Sequence, residues 1–343
     1  MKTFADISVS GKKILVRCDL DVAMEDGAVR EDFRLKAMIP TIETLTNEGA
    51  KVIILGHLGR PEKMGDPEFT LEPVIKRLAE LLQKEITFVA DWFTNPEAVN
   101  TASDNSPIIA LENLRYDPRE EDDDHEFSKI LAQFGEIYVN EAFATAHRAH
   151  ASTVGITAYL PSYLGLRHAQ EIEVLLGVRE NPSRPLVMIM GGGKAETKIP
   201  LVSGMSKYAD TILVGGKLMF AKELEGIKGV RFPVDANRID DIGPKTVEHF
   251  KKYIDGANMI VWNGPVGKYE DEAFRYGTQA VAEIVAQSTA QKIIGGGDTV
   301  AALDLFGMLD KMDFVSTGGG AMLELLAYGT LPVHQAIAEN QSD

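Results

Sequence analysis

Short apolar runs alternate with longer amphipathic stretches along almost the whole 343-residue chain. The short runs fit buried strands, and the stretches between them place apolar residues three and four positions apart, as helices do. This alternation is typical of βαβ units around parallel sheets, so it predicts an α/β protein. The predicted strands are residues 14–16, 52–55, 86–89, 108–111 and 137–139 in the first half, and 186–190, 211–214, 259–262, 292–294 and 314–316 in the second.

The length of the chain and a proline-containing break predict two domains. Pro182 and Pro185 interrupt the pattern just before the second set of strands. Helical patterns cover residues 35–48 and 71–84. We predict two doubly wound parallel-sheet domains joined by a hinge helix. The predicted boundaries are an N-terminal domain at 1–165, the hinge helix at 166–180, a C-terminal domain at 181–325, and a last segment at 326–343 that returns to the first domain.

The charge and the single cysteine exclude several classes of protein. Lysine and arginine total 35 against 51 aspartate and glutamate residues, so the formal net charge is −16. Such an acidic chain is poorly suited to nucleic acid or to an anionic membrane. Cys18 is the only cysteine, which excludes a disulfide framework and a cysteine zinc cage. The N-terminus has no signal-peptide core, and no run reaches the roughly 20 apolar residues of a membrane helix, so we expect a cytoplasmic protein.

The segments that follow the predicted strands differ between the two halves. First-half strands run into charged or imidazole side chains, at residues 19–21, 56–60, 112–115 and 140–150, whereas second-half strands run into glycine, at 191–193, 215–216, 264, 295–297 and 318–320. Ligands bind at the carboxyl ends of strands in open α/β sheets. Edges without side chains let backbone amides and helix N-termini approach a phosphate. The sequence therefore predicts one basic and one glycine-lined site, an arrangement for moving phosphate between two ligands.

The glycine loops do not match the common nucleotide motifs. Lys194 follows three glycines, but Ala195 and Glu196 come next, so the Gly-Lys-Ser/Thr of a P-loop is missing. No glycine cluster completes Gly-x-Gly-x-x-Gly. The residues alone leave an unassigned phosphate binder.

The polar loops of the first half also allow more than one interpretation. Residues 57–61 fit either an exposed loop with an incidental arginine or an anion clamp built on Arg60. His147 and His150 could suggest a zinc site, but no cysteine or carboxylate set completes it. The acidic run at 120–124 is expected to be a solvated loop face.

Taken together, the loops resemble the signature segments of the phosphoglycerate kinase family, in family order over nearly the whole chain. The segments are 15–19 (Leu-Val-Arg-Cys-Asp), 56–61 (Gly-His-Leu-Gly-Arg-Pro), 111–115 (Leu-Glu-Asn-Leu-Arg), 145–153 (Thr-Ala-His-Arg-Ala-His-Ala-Ser-Thr), 241–246 (Asp-Ile-Gly-Pro-Lys-Thr), 261–265 (Val-Trp-Asn-Gly-Pro), 295–299 and 316–321. The resemblance implies a phosphotransferase with a carboxyl acceptor. Its substrates would be 1,3-bisphosphoglycerate and ADP, and its products 3-phosphoglycerate and ATP, in glycolysis and gluconeogenesis.

By the same resemblance, one site binds phosphoglycerate. Its residues would be Asp19, Asp21, Arg34, His57, Leu58, Gly59, Arg60, Arg115 and Arg148. Arg60, Arg115 and Arg148 would hold the phosphate far from the reacting carboxyl, and Asp19 would accept from the C2 hydroxyl. Arg34 would meet the phosphoryl group in transfer. It opens a predicted helix, where a cation opposes the helix dipole, which favours a functional reason for it.

The resemblance places the nucleotide in the other half. Lys194 and Lys198 would hold the transferring phosphate and, with Arg34, form the catalytic set. Asp298 would bind the Mg²⁺ that ADP or ATP carries, and Glu270 would bond the ribose. The implied nucleotide-binding residues are Lys194, Lys198, Asn263, Glu270, Gly296, Gly297, Asp298, Thr299, Gly318 and Gly319, with Gly320 completing the phosphate surface.

The chain departs from the family in two places. Asp21 stands where the family usually has asparagine, and a second carboxylate near an anionic substrate should weaken binding unless it is paired or turned away. Between Lys217 and Asp240 the chain is much shorter than the family, in a region that borders the family's adenine pocket. Residues 223–228 are expected to contribute to a helix and 230–234 to a strand. A smaller sheet, or a neighbouring subunit covering the gap, is possible.

Three functions are weighed from the sequence. The leading one is an active phosphoglycerate kinase, a monomer that binds these small molecules and neither nucleic acid nor membrane. The alternative is a non-catalytic binding protein on the same scaffold. A third interpretation is another small-molecule kinase or a nicotinamide enzyme, and the missing dinucleotide motif counts against the nicotinamide enzyme.

Overall fold

The computed structural model of the protein contains two six-stranded parallel sheets. The structure describes residues 2–237 and 240–341. These residues divide into two compact units. Unit 1 contains the described residues up to Ile172 together with those from Thr330 onward, and unit 2 runs from Glu173 to Gly329.

Unit 1 contains the first sheet and the helices that cover it. Its strands are β1 (Lys13–Arg17), β2 (Met24–Glu25), β3 (Ala28–Val29), β4 (Lys51–Leu55), β5 (Thr87–Val89), β6 (Ile108–Leu111), β7 (Ile137–Asn140) and β8 (Ser162–Leu164), and its helices in this stretch are α1 (Phe33–Asn47), α2 (Glu72–Leu82), α3 (Glu97–Asn105) and α4 (His125–Ala132). The parallel sheet has the order β5-β6-β4-β1-β7-β8, and β2 and β3 form a separate antiparallel hairpin. Helix α5 (Leu166–Glu180) begins in unit 1 and ends in unit 2.

The strands of unit 1 are apolar on both sides because both faces of the sheet are covered. Ile14 and Val16 of β1 enter a core with α1 and α2, where Leu35 and Leu78 are buried. Leu15, between them, enters a second core with Trp92 and Phe127 on the opposite face. This alternation follows from the two-residue repeat of a strand.

Unit 2 repeats the design with a different strand order. Its elements are β9 (Leu186–Met190), α6 (Ala195–Met205), β10 (Thr211–Val214), β11 (Val230–Arg231), β12 (Ala236–Asn237), β13 (Asp241–Ile242), α7 (Pro244–Ile254), β14 (Met259–Asn263), α8 (Tyr276–Gln287), β15 (Gln291–Gly295), α9 (Gly297–Leu305), β16 (Phe314–Ser316) and α10 (Gly319–Tyr328). The parallel sheet runs β11-β10-β9-β14-β15-β16, and β12 pairs antiparallel with β13. Helices α6 and α10 pack closely at Gly204, where an added Cβ would lie 2.7 Å from the Ala327 carbonyl oxygen.

Each sheet has a point where the direction of winding reverses. In unit 1 the chain builds outward from β1 through β4 and then crosses to β7 on the other side. In unit 2 it builds outward from β9 through β10 and then crosses to β14. Crevices at the carboxyl ends of such strand pairs are the usual ligand sites of doubly wound sheets. The β1/β7 and β9/β14 edges are therefore where chemistry is expected.

The predicted fold class is confirmed, and all ten predicted strands are present. Strand β8 was not predicted, because its three residues, Ser-Tyr-Leu, include only one aliphatic side chain and do not form an apolar run. The expected helix at 223–228 is wrong, since only a 3-10 turn at Lys222–Leu224 forms there. The expected strand at 230–234 is limited to Val230–Arg231, which pairs with β10 at the edge. The second sheet has six strands like the first, and residues 238–239 of the shortened segment lie outside the described part of the chain.

The last helix, α11 (Pro332–Asn340), returns to unit 1. The Asn340 side chain donates to the carbonyl oxygens of Thr157 at 2.8 Å and Leu160 at 3.1 Å, and it accepts from the Ser162 amide at 2.8 Å. One side chain thus connects α11 to the edge strand β8 and the turn before it. Within residues 2–237 and 240–341, no helix combines the length and the apolar character needed to span a membrane.

We expect Asn340→Ala to lower the free energy of unfolding by about 1–3 kcal/mol, because backbone groups of unit 1 lose their partners. Glu339→Ala is the matched control, since Glu339 is exposed in the same helical turn and its loss should change stability by less than about 0.5 kcal/mol. Urea denaturation followed by circular dichroism measures both. Equal stabilities of the two variants would contradict the proposed contact.

Candidate active site

The segment after β1 carries the first predicted site residues of unit 1. Asp19 is only 4% exposed, and its Oδ2 accepts from the Ala144 amide, which follows β7, at 2.9 Å. Burial raises the pKa of Asp19 to about 6, and the nearby Arg34 charge opposes this rise. Asp19 therefore lies at the β1/β7 edge, and the Ala144 amide fixes one oxygen of its carboxyl group.

Asp21 is paired with backbone rather than left facing an open site. Its Oδ1 accepts from the Gly59 amide at 2.9 Å, and its Oδ2 lies 3.9 Å from His57 Nε2. Its carbonyl oxygen accepts a hydrogen bond from Arg34 Nη1. Asp21 thus connects the loops after β1 and β4 with Arg34 in the first turn of α1. This pairing is one of the two conditions under which the extra carboxylate was expected to be tolerated.

Asn113 holds the loop after β4. Leu58 donates its amide to Asn113 Oδ1 at 3.3 Å and accepts from Asn113 Nδ2 at 2.8 Å. Gly59 has φ of +60°, which favours glycine, and its carbonyl oxygen accepts from Arg115 Nη1 at 2.8 Å. Leu58 and Gly59 therefore act through their backbone groups, whereas Arg60 next to them is exposed.

Four side chains form what we call the basic cluster: His57, Arg115, Arg148 and His150. Burial, followed by the charges of Arg17 and Arg115, holds the pKa of His57 well below its usual value. Burial, followed by the charges of Arg17, Arg115 and Arg148, lowers the pKa of His150 to about 3. Both imidazoles are therefore neutral at pH 7. The arginines act on both rings, so the loops after β4, β6 and β7 converge at one place.

Several buried polar atoms of this region have no hydrogen-bond partner within residues 2–237 and 240–341. The buried atoms Arg115 Nε, His147 Nδ1 and His150 Nδ1 have no hydrogen-bond partner, and Arg115 Nη2 faces Glu121 Oε1 at 3.1 Å without hydrogen-bond alignment. Burial lowers the pKa of Arg115, but a guanidinium remains charged at neutral pH. Buried polar groups without partners are costly unless a ligand satisfies them. The arrangement suits a small anion.

The expectation of a solvated acidic run at 120–124 is wrong for its first residue. Glu120 is 0% exposed and accepts from the amide and the hydroxyl of Ser152, at 3.0 Å and 2.5 Å. Asp124 accepts from the Phe127 amide and so begins α4. The sequence interpretation gave no role to Arg17, and it considered His150 only as part of an incomplete zinc site. Arg17 ends a strand that is buried from Ile14 onward, and a charge at such a position requires a partner elsewhere.

Close contact between loops explains many of the glycines of unit 2. A Cβ on Gly264, which has φ of +95°, would lie 2.3 Å from the Gly191 carbonyl oxygen, and one on Gly191 would lie 2.1 Å from the Pro265 carbonyl oxygen. The loops after β9 and β14 therefore touch backbone to backbone at the β9/β14 edge. A Cβ on Gly319 would lie 2.6 Å from Gly296 Cα, so the loops after β15 and β16 do the same.

Other glycines of unit 2 face open space. A Cβ added to Gly193 or Gly297 would meet nothing within 4 Å. Gly193 precedes α6, and Gly297 opens α9. Helix N-termini carry unpaired amides and a partial positive charge, which suit a phosphate. Only these open glycines therefore fit the predicted phosphate surface. The other glycines named above allow neighbouring loops to pack backbone to backbone.

Lys198 lies at the edge between β9 and β14. Its Nζ donates to the carbonyl oxygens of Gly191 at 2.6 Å and Asn263 at 3.3 Å. Burial lowers the pKa of Lys198 to about 8, and the Asp298 charge opposes this. Lys194, in contrast, is exposed. Lys198 and Asp298 thus lie close enough for their charges to interact.

The remaining predicted nucleotide residues hold the loops or stay exposed. Asn263 Nδ2 donates to the Gly319 carbonyl oxygen at 3.1 Å, and Thr299 Oγ1 accepts from the Gly264 amide at 2.7 Å. The Gly318 amide donates to Ser316 Oγ at 3.3 Å, and Glu270 is exposed in the loop after β14. The buried Thr299 side chain therefore supports the loop of Gly264, and its assignment to a phosphate stays a prediction.

The residues of unit 2 are compatible with a magnesium ion that arrives on a nucleotide. In the part of the chain that the structure describes, no group of three or more metal-ligating side chains is present. Asp298 is a single exposed carboxylate in the first turn of α9. Mg²⁺ is commonly bound through one or two carboxylates together with substrate phosphates. Asp298 meets that requirement.

Comparison with known proteins decides the family. The family model described as phosphoglycerate kinase matches residues 4–231 and 220–328. The chain belongs to the phosphoglycerate kinase family. The phosphoglycerate kinase of Thermosipho africanus is 40% identical over 396 aligned positions, which cover 99% of this chain and 98% of the relative. That of Clostridium perfringens is 39% identical over 386 positions, covering 96% and 97%.

Solved structures agree with this assignment. The phosphoglycerate kinase of Pyrococcus horikoshii has a TM-score of 0.87 at 29% identity and covers 100% of both chains. That of Coxiella burnetii has a TM-score of 0.82 at 33% identity and covers 98% of both chains. The comparison also supports the predicted shortening. The Thermosipho alignment has 396 positions against 343 residues, so at least 53 positions have no residue of this chain. The two family matches meet at residues 220–231, inside the segment expected to be short.

We expect Gly264→Ala to destabilise the protein by about 1–3 kcal/mol or more, because alanine is strained at this φ and its Cβ would strike the Gly191 backbone. Gly193→Ala is the control at the same sheet edge, since its Cβ would meet nothing within 4 Å. Thermal denaturation of both variants checks this. A Gly193→Ala protein as unstable as Gly264→Ala would contradict the division between packed and open glycines.

Asp19 generates a pH prediction. Its folded pKa of about 6 lies above the ordinary 3.8, so folding favours the protonated form. The stability from this group is complete below about pH 4 and is lost as the pH rises through about 6. Asp19→Asn should therefore gain stability relative to the parent protein between pH 4 and pH 7. Urea denaturation at these two pH values measures the difference, and a difference that does not change with pH would contradict the assignment.

Proposed function

We propose that this chain is an active phosphoglycerate kinase that transfers a phosphoryl group reversibly between 1,3-bisphosphoglycerate and ADP, giving 3-phosphoglycerate and ATP. The observation that carries the proposal is the basic cluster, because its two arginines suit a phosphorylated acid and its buried atoms Arg115 Nε and His150 Nδ1 have no hydrogen-bond partner among the residues that the structure describes. Membership of the family supports the same reaction. This step belongs to glycolysis and gluconeogenesis.

The phosphoglycerate would bind along the edge of the first sheet. Arg115 and Arg148 of the basic cluster would hold its phosphate, and the exposed Arg60 would close on it from the neighbouring loop. Asp19 would accept from the C2 hydroxyl, since its carboxyl lies at the β1/β7 edge. Arg34 would lie at the reacting carboxyl, because its guanidinium acts on Asp19 and bonds the Asp21 carbonyl oxygen.

The nucleotide would bind at the edge of the second sheet. Lys198 is the cation best supported for the transferring phosphate, since it lies at the β9/β14 edge and its charge reaches Asp298. The amides at Gly297 and the exposed Lys194 would contact further phosphate oxygens. Asp298 would hold the Mg²⁺ that the nucleotide carries, and that ion would neutralise phosphate charge. Glu270, exposed in its loop, would bond the ribose.

Transfer between these sites requires positioning and charge neutralisation rather than a protein nucleophile. The carboxylate of 3-phosphoglycerate attacks the terminal phosphorus of ATP, the bond to the bridging oxygen of ADP breaks, and Arg34 and Lys198 stabilise the charge in between. Because the two ligands are assigned to different units, transfer requires a closing motion that excludes water. We place the bending at α5 and at the crossing from Gly329 to Thr330, where the chain passes between units.

The oligomeric state and the cellular location are inferred from the family. A monomer in the cytoplasm remains the expectation. The shortened segment at 217–240 keeps the alternative of a non-catalytic binding protein open for testing, because it is expected to border the adenine. An assay of ATP formation from 1,3-bisphosphoglycerate and ADP decides between them. Absence of turnover together with intact 3-phosphoglycerate binding would overturn the kinase and favour the binding protein.

We expect Arg34→Ala to lose at least about a hundredfold in turnover, the scale of one transition-state donor. Arg30→Ala is the matched control, because Arg30 is exposed shortly before the same helix and should leave turnover unchanged. A coupled assay at saturating substrates measures both variants. Near-normal turnover of Arg34→Ala would reject the role given to Arg34.

A further inference from the structure

Four buried polar side chains form a chain of hydrogen bonds beneath the basic cluster: Arg17, Glu120, Ser152 and His57. All four are at most 1% exposed. Arg17 ends β1, His57 follows β4, Glu120 lies after β6 and Ser152 after β7. The group therefore connects four of the loops at the carboxyl edge of the first sheet.

The direction of each hydrogen bond follows from the chemistry of Arg17. A guanidinium only donates. Arg17 Nη2, at 2.8 Å from His57 Nδ1, therefore donates to that nitrogen, and Arg17 Nε donates to Ser152 Oγ at 2.8 Å. The Ser152 hydroxyl is then free to donate to Glu120 Oε1, at 2.5 Å. Glu120 also lies 3.8 Å from Arg17 Nη2, so the buried positive charge has a counter-charge.

These directions determine where His57 carries its proton. The ring is neutral at pH 7, since burial and the nearby arginine charges keep its pKa well below the usual value. A neutral imidazole has one proton. Because Nδ1 accepts from Arg17, that proton is on Nε2. Nε2 lies 3.9 Å from Asp21 Oδ2. The N–H group is therefore close to the loop after β1, which carries the predicted substrate residues Asp19 and Asp21.

We propose that Arg17 is a positioning residue that keeps His57 in its Nε2–H form, so that His57 presents a fixed hydrogen-bond donor to the bound phosphoglycerate. The proposal rests on the function proposed above. Arg17 itself is fully buried and acts only through His57. Ser152 and Glu120 fix Arg17 in turn, which gives a role to the one acidic residue that the chain buries completely in its 120–124 run.

The test compares two proteins that share Glu120→Gln and differ at residue 17, so that loss of the arginine does not leave Glu120 as an unpaired buried carboxylate. Glu120→Gln removes the counter-charge and keeps Arg17, and Arg17→Met/Glu120→Gln removes both. The full-length proteins are labelled with ¹⁵N-histidine, and the His57 signals among the seven histidines are identified by their loss in His57→Gln. Long-range ¹H–¹⁵N correlation spectra then report which ring nitrogen carries the proton. Circular dichroism checks that each variant folds.

In the parent protein and in Glu120→Gln, we expect one protonated Nε2 and one unprotonated Nδ1 between pH 6 and pH 8. In the double variant we expect averaged nitrogen shifts and a His57 pKa that moves up toward the usual value. The KM for 3-phosphoglycerate should rise about tenfold or more relative to Glu120→Gln, because a donor to a charged group is lost, while the KM for ATP should stay unchanged. A structural defect alone would not move the two KM values apart.

Three results would overturn the proposal: a proton on Nδ1 in the parent protein, a double variant with the parent His57 spectrum, or an equal KM for 3-phosphoglycerate in both variants. Arg17→Lys provides a second route if the double variant unfolds. Lysine also only donates, so it should preserve the Nε2–H spectrum, and loss of that spectrum in a folded Arg17→Lys protein would count against the proposal. Addition of 3-phosphoglycerate to the parent protein distinguishes the proposed substrate site from the proposed role of Arg17. If the His57 Nε2 signal does not shift, His57 does not contact the substrate, but the assignment of its proton to Nε2 still stands.

Discussion

Burial of both faces of each parallel sheet is the constraint on which the rest of the structure depends. Strands such as β4 and β9 are apolar on both sides because helices cover them, and no polar side chain is accommodated along their length without a partner. Functional polar groups are therefore concentrated at the carboxyl edges, in the last residues of strands, in the loops and in the first turns of the helices that follow. Both units follow this rule, with an arginine and histidine edge in one and a glycine edge in the other.

The polar edge of unit 1 depends on one exception to that rule. Arg17 is a charge at the end of a buried strand, and its counter-charge is Glu120, more than a hundred residues later in the chain. Removing either partner alone would leave a buried charge, which is strongly destabilising. With Ser152 and His57 the pair connects the loops after four strands, so the basic cluster is supported by buried groups of which only His57 is predicted to contact the ligand.

The strands of the fold were predictable from the local pattern of apolar residues. The contacts that build the candidate site were harder to predict, because they join residues that are far apart in the sequence. Apolar runs located all ten predicted strands because a buried strand needs continuous apolar residues. The burial of Glu120 was not predictable, since nothing near it in the sequence indicates Arg17. The packed role of Gly264 and Gly191 was missed for the same reason, because their contact exists only once β9 and β14 are neighbours. The helix expected at 223–228 does not form. Helix propensity is a weak predictor for so short a segment, and only a 3-10 turn at Lys222–Leu224 is present.

Helix α11 makes unit 1 discontinuous, and this has a consequence for how the protein assembles during synthesis. The residues from Glu173 to Gly329 emerge after the first sheet and before α11. All of unit 2 is therefore available to fold while the earlier unit still lacks the helix whose Asn340 caps the edge of β8. Unit 1 therefore begins to be synthesised first and is completed last. Until α11 is synthesised, the edge of β8 lacks its contacts with Asn340.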